Sequence, residues 1–394
     1  MQATDRQDSW RSDFSPVAGG PLFELLQRAR LVRECQLCTV RASLLQAVVA
    51  LGPLLLLAAL ERAGTGRLDP MLSDLSVYAR FIVAVPLILV AERSMHVRCM
   101  RTIERFARGT FALDEQMTAL ERSLRRAMRL RDLRTVEIVL LVLAVLGGQA
   151  ALWGVAGSAG YVESARVGRV TVAQIWYSLV ALPFFQFMLA RWLWRWALWS
   201  RVLWDISRLR LQLVPTHPDH AGGIRLLSDP TFAFAWFASG ASSVLASAWA
   251  TRLLRGDTEL SALALPFSFV AVTAALVVYG PLLIFVPLMV RQRFEGIRSY
   301  GRVALAHSRL FHRRWVEGEI DDSLLGSPDI SSLADLTTAY ESLEKMRVVP
   351  FGPRSVAAVA IGLVTPMLPL VAIHIPVPEL LLRIGKTLFL GLPA

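Results

Sequence analysis

The chain has 394 residues, of which 54% are hydrophobic and 19% charged, with a formal net charge of +11. That composition excludes an ordinary water-soluble domain and places the chain among polytopic membrane proteins. The positive balance then calls for no nucleic-acid partner, because the cytoplasmic loops of membrane proteins carry extra arginine and lysine. The only lysines among the 42 basic residues are Lys345 and Lys386, which reads as the coding bias of a GC-rich bacterial genome.

In chain order, residues 1–42 read as a cytoplasmic N-terminal segment. Its start, "MQATDRQDSWRSDFSP", lacks the apolar core of a cleavable signal peptide. Cys35 and Cys38 form a Cys–x–x–Cys pair with no second pair nearby, so they read as two ordinary thiols on a helix. With Cys99 the only other cysteine, no disulfide framework is indicated. Residues 43–92 hold two transmembrane helices, at 43–60 and 76–91, each near the length of about 20 residues that a crossing takes. Arg80 lies inside the second. A charge there is costly, so it is either functional or snorkels outward towards Asp74. Residues 93–134 read as a cytoplasmic helical hairpin. Its second arm, 113–133, sets Met117, Leu120, Leu124 and Met128 on one face at helical spacing.

Residues 135–190 hold the third and fourth spans (135–156 and 171–190), with Glu137 near the inner end of the third. In 191–230 the fourth helix is expected to continue to about 213. "RWLWRWALWSRVLW" (191–204) reads as an interfacial anchor, since indoles prefer the headgroup region and arginines snorkel there. The loop "PTHPDHAGG" (215–223) follows. His217, Asp219 and His220 are weak candidate metal ligands, because a structural site takes about four. The favoured reading is a turn in which the prolines end the helix, Asp219 closes the loop, and Gly222 and Gly223 supply positive φ. His217-Pro218-Asp219 also matches the J-domain co-chaperone signature. That module needs more soluble chain than lies between these spans.

Residues 231–290 hold the fifth and sixth spans (231–251 and 263–290). The fifth carries two rows at four-residue spacing. Ala238, Ser242, Ala246 and Ala250 suit close helix packing. Ser239, Ser243, Ser247 and Thr251 either line a polar pathway or bond back to their own helix. Residues 291–354 are read as cytoplasmic helices: an extension of the sixth span to about 317, then a helix capped by Asp329 with Ile330, Leu333, Leu336, Tyr340 and Leu343 as its apolar stripe. Residues 355–394 hold the last span, about 355–375, and an interfacial tail, "ELLLRIGKTLFL". Pro86, Pro183, Pro266, Pro281, Pro287, Pro366 and Pro369 interrupt the spans, freeing carbonyls for ions or kinking helices for packing.

With the N-terminus inside, 33 basic residues fall on the cytoplasmic side and 8 outside, Arg80 being within a span. The expected fold is therefore all-α: a bundle of about seven transmembrane helices, N-in and C-out, with a cytoplasmic helical layer.

Three stretches, "YARFIVAVPLILVAE" (78–92), "VPTHPDHAGGIRLL" (214–227) and "PDISSLADLTTAYESLEKMRVVPF" (328–351), carry a resemblance, together with the proline-rich last span and its tail. In combination they resemble a family of uncharacterised bacterial inner-membrane proteins with an HPDxAGG cytoplasmic loop. The resemblance implies a shared seven-span fold and brings no substrate or reaction with it. Three functions stay open. One is a channel or transporter for an ion or small solute, working as a homo-oligomer in the lipid bilayer. The second is a membrane-anchored regulator or sensor with a cytoplasmic protein partner. The third is a membrane enzyme using the His217–Asp219 loop. No cofactor is indicated and no catalytic residue is assigned.

Overall fold

The computed structural model describes residues 19, 32–33, 36–37, 39–65, 70–108, 114–153, 171–317 and 328–374; side chains at 32–33, 36–37, 39–42, 65, 70, 114–115, 148–153, 328 and 374 lie outside that description. The fold is an all-helical membrane bundle, in which six helices are long and apolar enough to cross a bilayer. Beside the helices there is a two-residue antiparallel pair, β1 (Val32–Arg33) with β2 (Gln36–Leu37). β1 precedes the Cys–x–x–Cys pair and β2 is the two residues between its cysteines, in place of the helix expected there; Cys35 and Cys38 themselves lie outside the described residues.

The first span is α1, Thr39–Thr65. The second is a continuous helix, α2, Leu75–Arg108. It begins with Asp74 accepting a hydrogen bond from Ser76 N at 2.9 Å. The amphipathic helix α3, Asp114–Arg131, follows. It buries Leu120 and Leu124 and packs on the end of α5, so the stripe expected from sequence is its core face. Helix α4, Arg134–Trp153, takes in the third expected span as far as 153; the span's last residues, 154–156, lie outside the described residues. Helix α5 runs Val172–Ser207. It opens with a capping box between Thr171 and Gln174.

A 3-10 segment, Arg225–Phe232, leads into α6, Ala233–Leu254. Helices α7, Ala264–Tyr279, and α8, Val286–Trp315, join through a 3-10 turn, Gly280–Phe285. Helix α9, Pro328–Glu344, folds back on α8. Helix α10, Pro353–Val364, passes through a 3-10 turn, Thr365–Met367, into α11, Leu368–His374.

The prolines explain the irregular turns. A proline lacks the N–H that would satisfy the carbonyl four residues earlier, and its ring crowds that carbonyl. Just before Pro86, α2 widens into a π turn, Ala79–Ala84, where Val85 N donates to Arg80 O. Just before Pro183, α5 does the same over Tyr177–Ala181, where Leu182 N donates to Tyr177 O. Pro281 removes the donor that Val277 O would otherwise receive. That carbonyl instead accepts Trp196 Nε1 at 2.8 Å.

Helix α6 is the centre of the bundle, between α2 and α10. Small residues make this possible on both sides. A Cβ on Gly240 would sit 3.2 Å from Ala84 O of α2. A Cβ on Gly362 of α10 would overlap the Ala235 carbonyl of α6. Ala238, Ser242 and Ala246 are buried, and Ser242 Oγ donates to Leu363 O at 2.5 Å. The outward faces are apolar: Leu265 is 80% and Phe269 72% exposed on α7, and Ile138, Leu143 and Leu146 are exposed on α4. Water does not tolerate apolar faces of that extent, whereas lipid does.

Two helix boundaries differ from expectation. Helix α5 ends at Ser207, not near 213. Beyond it Leu211 and Leu213 are buried while Arg210, Gln212 and Val214 are exposed. That two-residue period belongs to extended chain, not helix. Helix α9 starts at Pro328, whose fixed φ suits a first helical position. Asp329 is therefore in the first turn rather than the cap, and its carboxylate meets Arg314 Nη1 at 2.9 Å and Trp315 Nε1 at 3.2 Å.

Candidate functional site

The "PTHPDHAGG" loop is built around the Asp219 carboxylate. Oδ1 accepts the amides of Ala221 at 2.8 Å and Gly223 at 3.0 Å, and Oδ2 accepts the amide of Arg225 at 3.2 Å. Wrapping three amides around one side chain needs left-handed backbone, and φ is +54° at His220, +66° at Gly222 and +94° at Gly223. Glycine adopts such angles freely and histidine does so at a cost. His217 Nδ1 lies 2.9 Å from Asp219 Oδ1 and 3.2 Å from Asp219 N. A protonated Nδ1 donates to the carboxylate and a bare one accepts from the amide, so either tautomer holds the ring on the loop.

The loop also joins distant elements. His220 O accepts Arg347 N at 2.8 Å, just past α9. A Cβ on Gly222 would meet Leu213 at 3.2 Å and the Met346 methyl at 3.3 Å. Among the described residues no three His, Cys, Asp or Glu side chains gather where they would hold a metal ion. His217, Asp219 and His220 thus come together as a hydrogen-bonded joint.

The hydroxyl row of α6 turns inward on its own backbone. Ser243 Oγ donates to Gly240 O at 2.7 Å, Ser247 Oγ to Val244 O at 2.9 Å, and Thr251 Oγ1 to Ser247 O at 3.0 Å. Ser239 is half-buried. Bonds of this kind satisfy each hydroxyl without a ligand.

Arg80 has a specific partner. Its Nη1 donates to the Tyr177 hydroxyl, and its guanidinium carbon lies 5.9 Å from that ring's centre. Asp74, the expected destination for a snorkelling Arg80, instead accepts the Ser76 amide as the cap of α2. Arg80 and Tyr177 each lie in a π turn, so the two proline-induced distortions meet at this bond. Such turns recur at functional sites.

About 18 Å further along α2, at 1.5 Å per residue, lies a second polar centre. Glu92 of α2 pairs with Arg195 of α5 at 2.7 Å and with Arg191 at 3.6 Å, and all three side chains are 5% exposed or less. Around them Trp192, Trp196 and Trp199 are buried. Trp192 stacks on Phe237 with centroids 4.0 Å apart and meets Phe234 edge-on at 4.4 Å. The "RWLWRWALWSRVLW" stretch is thus not simply an interfacial anchor. Three of its five tryptophans and two of its three arginines form the interior.

The shared face of these residues was present in the sequence, though not its burial. Arg191, Trp192, Arg195, Trp196 and Trp199 recur at i, i+1, i+4, i+5 and i+8, which is one helix face. What the sequence withheld was the partner, since Glu92 lies about a hundred residues away.

Comparison with protein-family models, curated proteins and solved structures gives no match to this chain. The site therefore rests on its own geometry. On α2, Phe81, Val85, Ile88 and Leu89 lie on the face between Arg80 and Glu92; on α5, Ala181, Phe185 and Met188 lie between Tyr177 and Arg191. All are buried, and Phe81 meets Phe185 edge-on at 6.4 Å. The α2–α5 seam accordingly has a polar contact, an apolar plug, and then an ionic centre in which Glu92 pairs with Arg191 and Arg195, with the Glu137 carboxylate of α4 also acting on Arg195.

Proposed function

We propose that the protein moves an ion or small solute across a bacterial inner membrane along the α2–α5 seam, and that the structure is a closed state. The observation that carries this reading is the buried Glu92–Arg191–Arg195 centre, cut off from Arg80–Tyr177 by a plug around Phe81 and Phe185. Ionisable groups inside membrane helices are expensive and mark conduction pathways. Apolar constrictions close such pathways. The 33-to-8 division of basic residues supports an N-in, C-out chain with the ionic centre near the cytoplasmic end. Counting α4 as a span gives seven crossings. The apolar outer faces of α4 and α7 suit lipid and further copies in a homo-oligomer.

Flux in proteoliposomes tests the reading, with a panel of inorganic cations, anions and small solutes. At least one should be transported. Arg80→Gln and Glu92→Gln should each lower its flux at least tenfold, while Ser243→Ala leaves it unchanged. A correctly folded protein that passes nothing in the panel would sink the proposal.

A second reading, a membrane-anchored regulator with a cytoplasmic protein partner, draws on α8. That helix carries Val303, Leu305 and Leu310 exposed beyond the cover of α9. Crosslinking from these positions to one partner at fixed stoichiometry would favour it. The enzyme reading has less support, because both Asp219 oxygens serve the loop's own amides.

A further inference from the structure

A cavity of about 320 Å³ lies where α3 crosses the end of α5, lined by Arg122, Ser123, Arg126, Asp205 and Arg208 over a floor that includes Leu209. Three guanidiniums converge on it, and among the described residues none pairs with a carboxylate. The one acid in the wall is already engaged. Asp205 accepts Ser123 Oγ at 2.5 Å and meets Arg201 at 3.6 Å.

Two of the arginines are held in place. Arg122 Nε donates to Thr118 O at 3.3 Å, which leaves its Nη groups for a ligand. Arg208 lies over the Trp204 ring at 5.1 Å. Trp204 is exposed, at the point where the apolar face of α5 gives way to charge.

We propose that this cavity binds a negatively charged phosphate. Guanidinium forks match phosphate oxygens in geometry and charge. Basic clusters on amphipathic helices at the cytoplasmic face of a membrane bind anionic headgroups. The cavity is at the small end of ligand clefts, which run from about 300 Å³ upward. That size suits a single headgroup and not a large soluble ligand. The same chemistry is offered by an anionic phospholipid and by a free phosphate. The site does not depend on the transport reading, since none of its residues belongs to the α2–α5 seam between Arg80 and Glu92.

The test uses the full chain in neutral detergent. It is titrated separately with short-chain phosphatidylglycerol, short-chain phosphatidylcholine and inorganic phosphate, and bound molecules are counted by native mass spectrometry. Phosphatidylglycerol should bind at one saturable site and phosphatidylcholine should not. Arg126→Gln with Arg208→Gln should weaken binding about 30-fold, as expected for losing two surface cations beside an anionic phosphate. Arg208→Lys should retain most of it. Saturable binding of inorganic phosphate alone, lost in the same double variant, would assign the site to a free phosphate. Equal binding by wild type and double variant, or no saturable binding of either anion, overturns the proposal.

Discussion

Replacing Glu92 by glutamine keeps the shape of the side chain and removes its charge. The two guanidiniums then lose the carboxylate that pairs with both of them, at 2.7 Å and 3.6 Å, and Glu137 of α4 is left acting on Arg195 alone. With an effective dielectric near 20, those attractions amount to about 6 and about 5 kcal/mol before desolvation offsets them. Removing one member of a buried ionic group costs about 3–5 kcal/mol, because the remaining charges stay buried without compensation. Glu92→Gln should therefore destabilise the bundle by about that amount. Glu92→Met with Arg191→Met and Arg195→Met removes all three charges at similar volume. It should recover most of the loss, since apolar replacements of whole buried ion groups are often neutral or stabilising. Denaturant titration in detergent, followed by tryptophan fluorescence, reads both, as the tryptophans surround the centre. A Glu92→Gln protein within about 0.5 kcal/mol of wild type, the usual range for an exposed surface substitution, would mean that the arginines are solvated and would refute the reasoning.

Other positions carry equally direct expectations. Asp219→Ala orphans the amides of Ala221, Gly223 and Arg225 and should cost roughly 3 kcal/mol; hydrogen exchange across 215–225 should accelerate, and unchanged protection would contradict the carboxylate's role. His220→Gly should be neutral or stabilising, because φ is +54° there, while His220→Val should cost about 1–2 kcal/mol on the same denaturant scale. Gly362→Val places a side chain against the Ala235 carbonyl. It should destabilise by about 2 kcal/mol or more, with Gly52→Ala on α1, where the nearest neighbour is 3.8 Å away, as the tolerant control.

The spans were legible because hydropathy and length are local properties. The apolar face of α3 was legible for the same reason, at a period near 3.6. The end of α5 was also written in the sequence. Leu209, Leu211 and Leu213 alternate with Arg210, Gln212 and Val214, a two-residue period that a helical reading passes over. The polar centre was not legible, because its charge balance depends on α2 and α5 meeting. Seen alone, Arg191 and Arg195 are indistinguishable from interfacial residues; their burial follows from Glu92 and from the Phe234 and Phe237 rings of α6. The hydroxyl row left two readings open. Its spacing offers a polar stripe, yet each observed Ser243, Ser247 and Thr251 bond ends on a carbonyl of α6.

The central claim is that the α2–α5 seam is a pathway closed by an apolar plug, and opening the plug tests it most directly. Phe185→Ala removes a buried ring that meets Phe81 between the two polar contacts. Basal flux of the transported species through proteoliposomes should rise at least tenfold, and adding Glu92→Gln should bring it down again. A folded Phe185→Ala protein whose flux matches wild type would contradict the account.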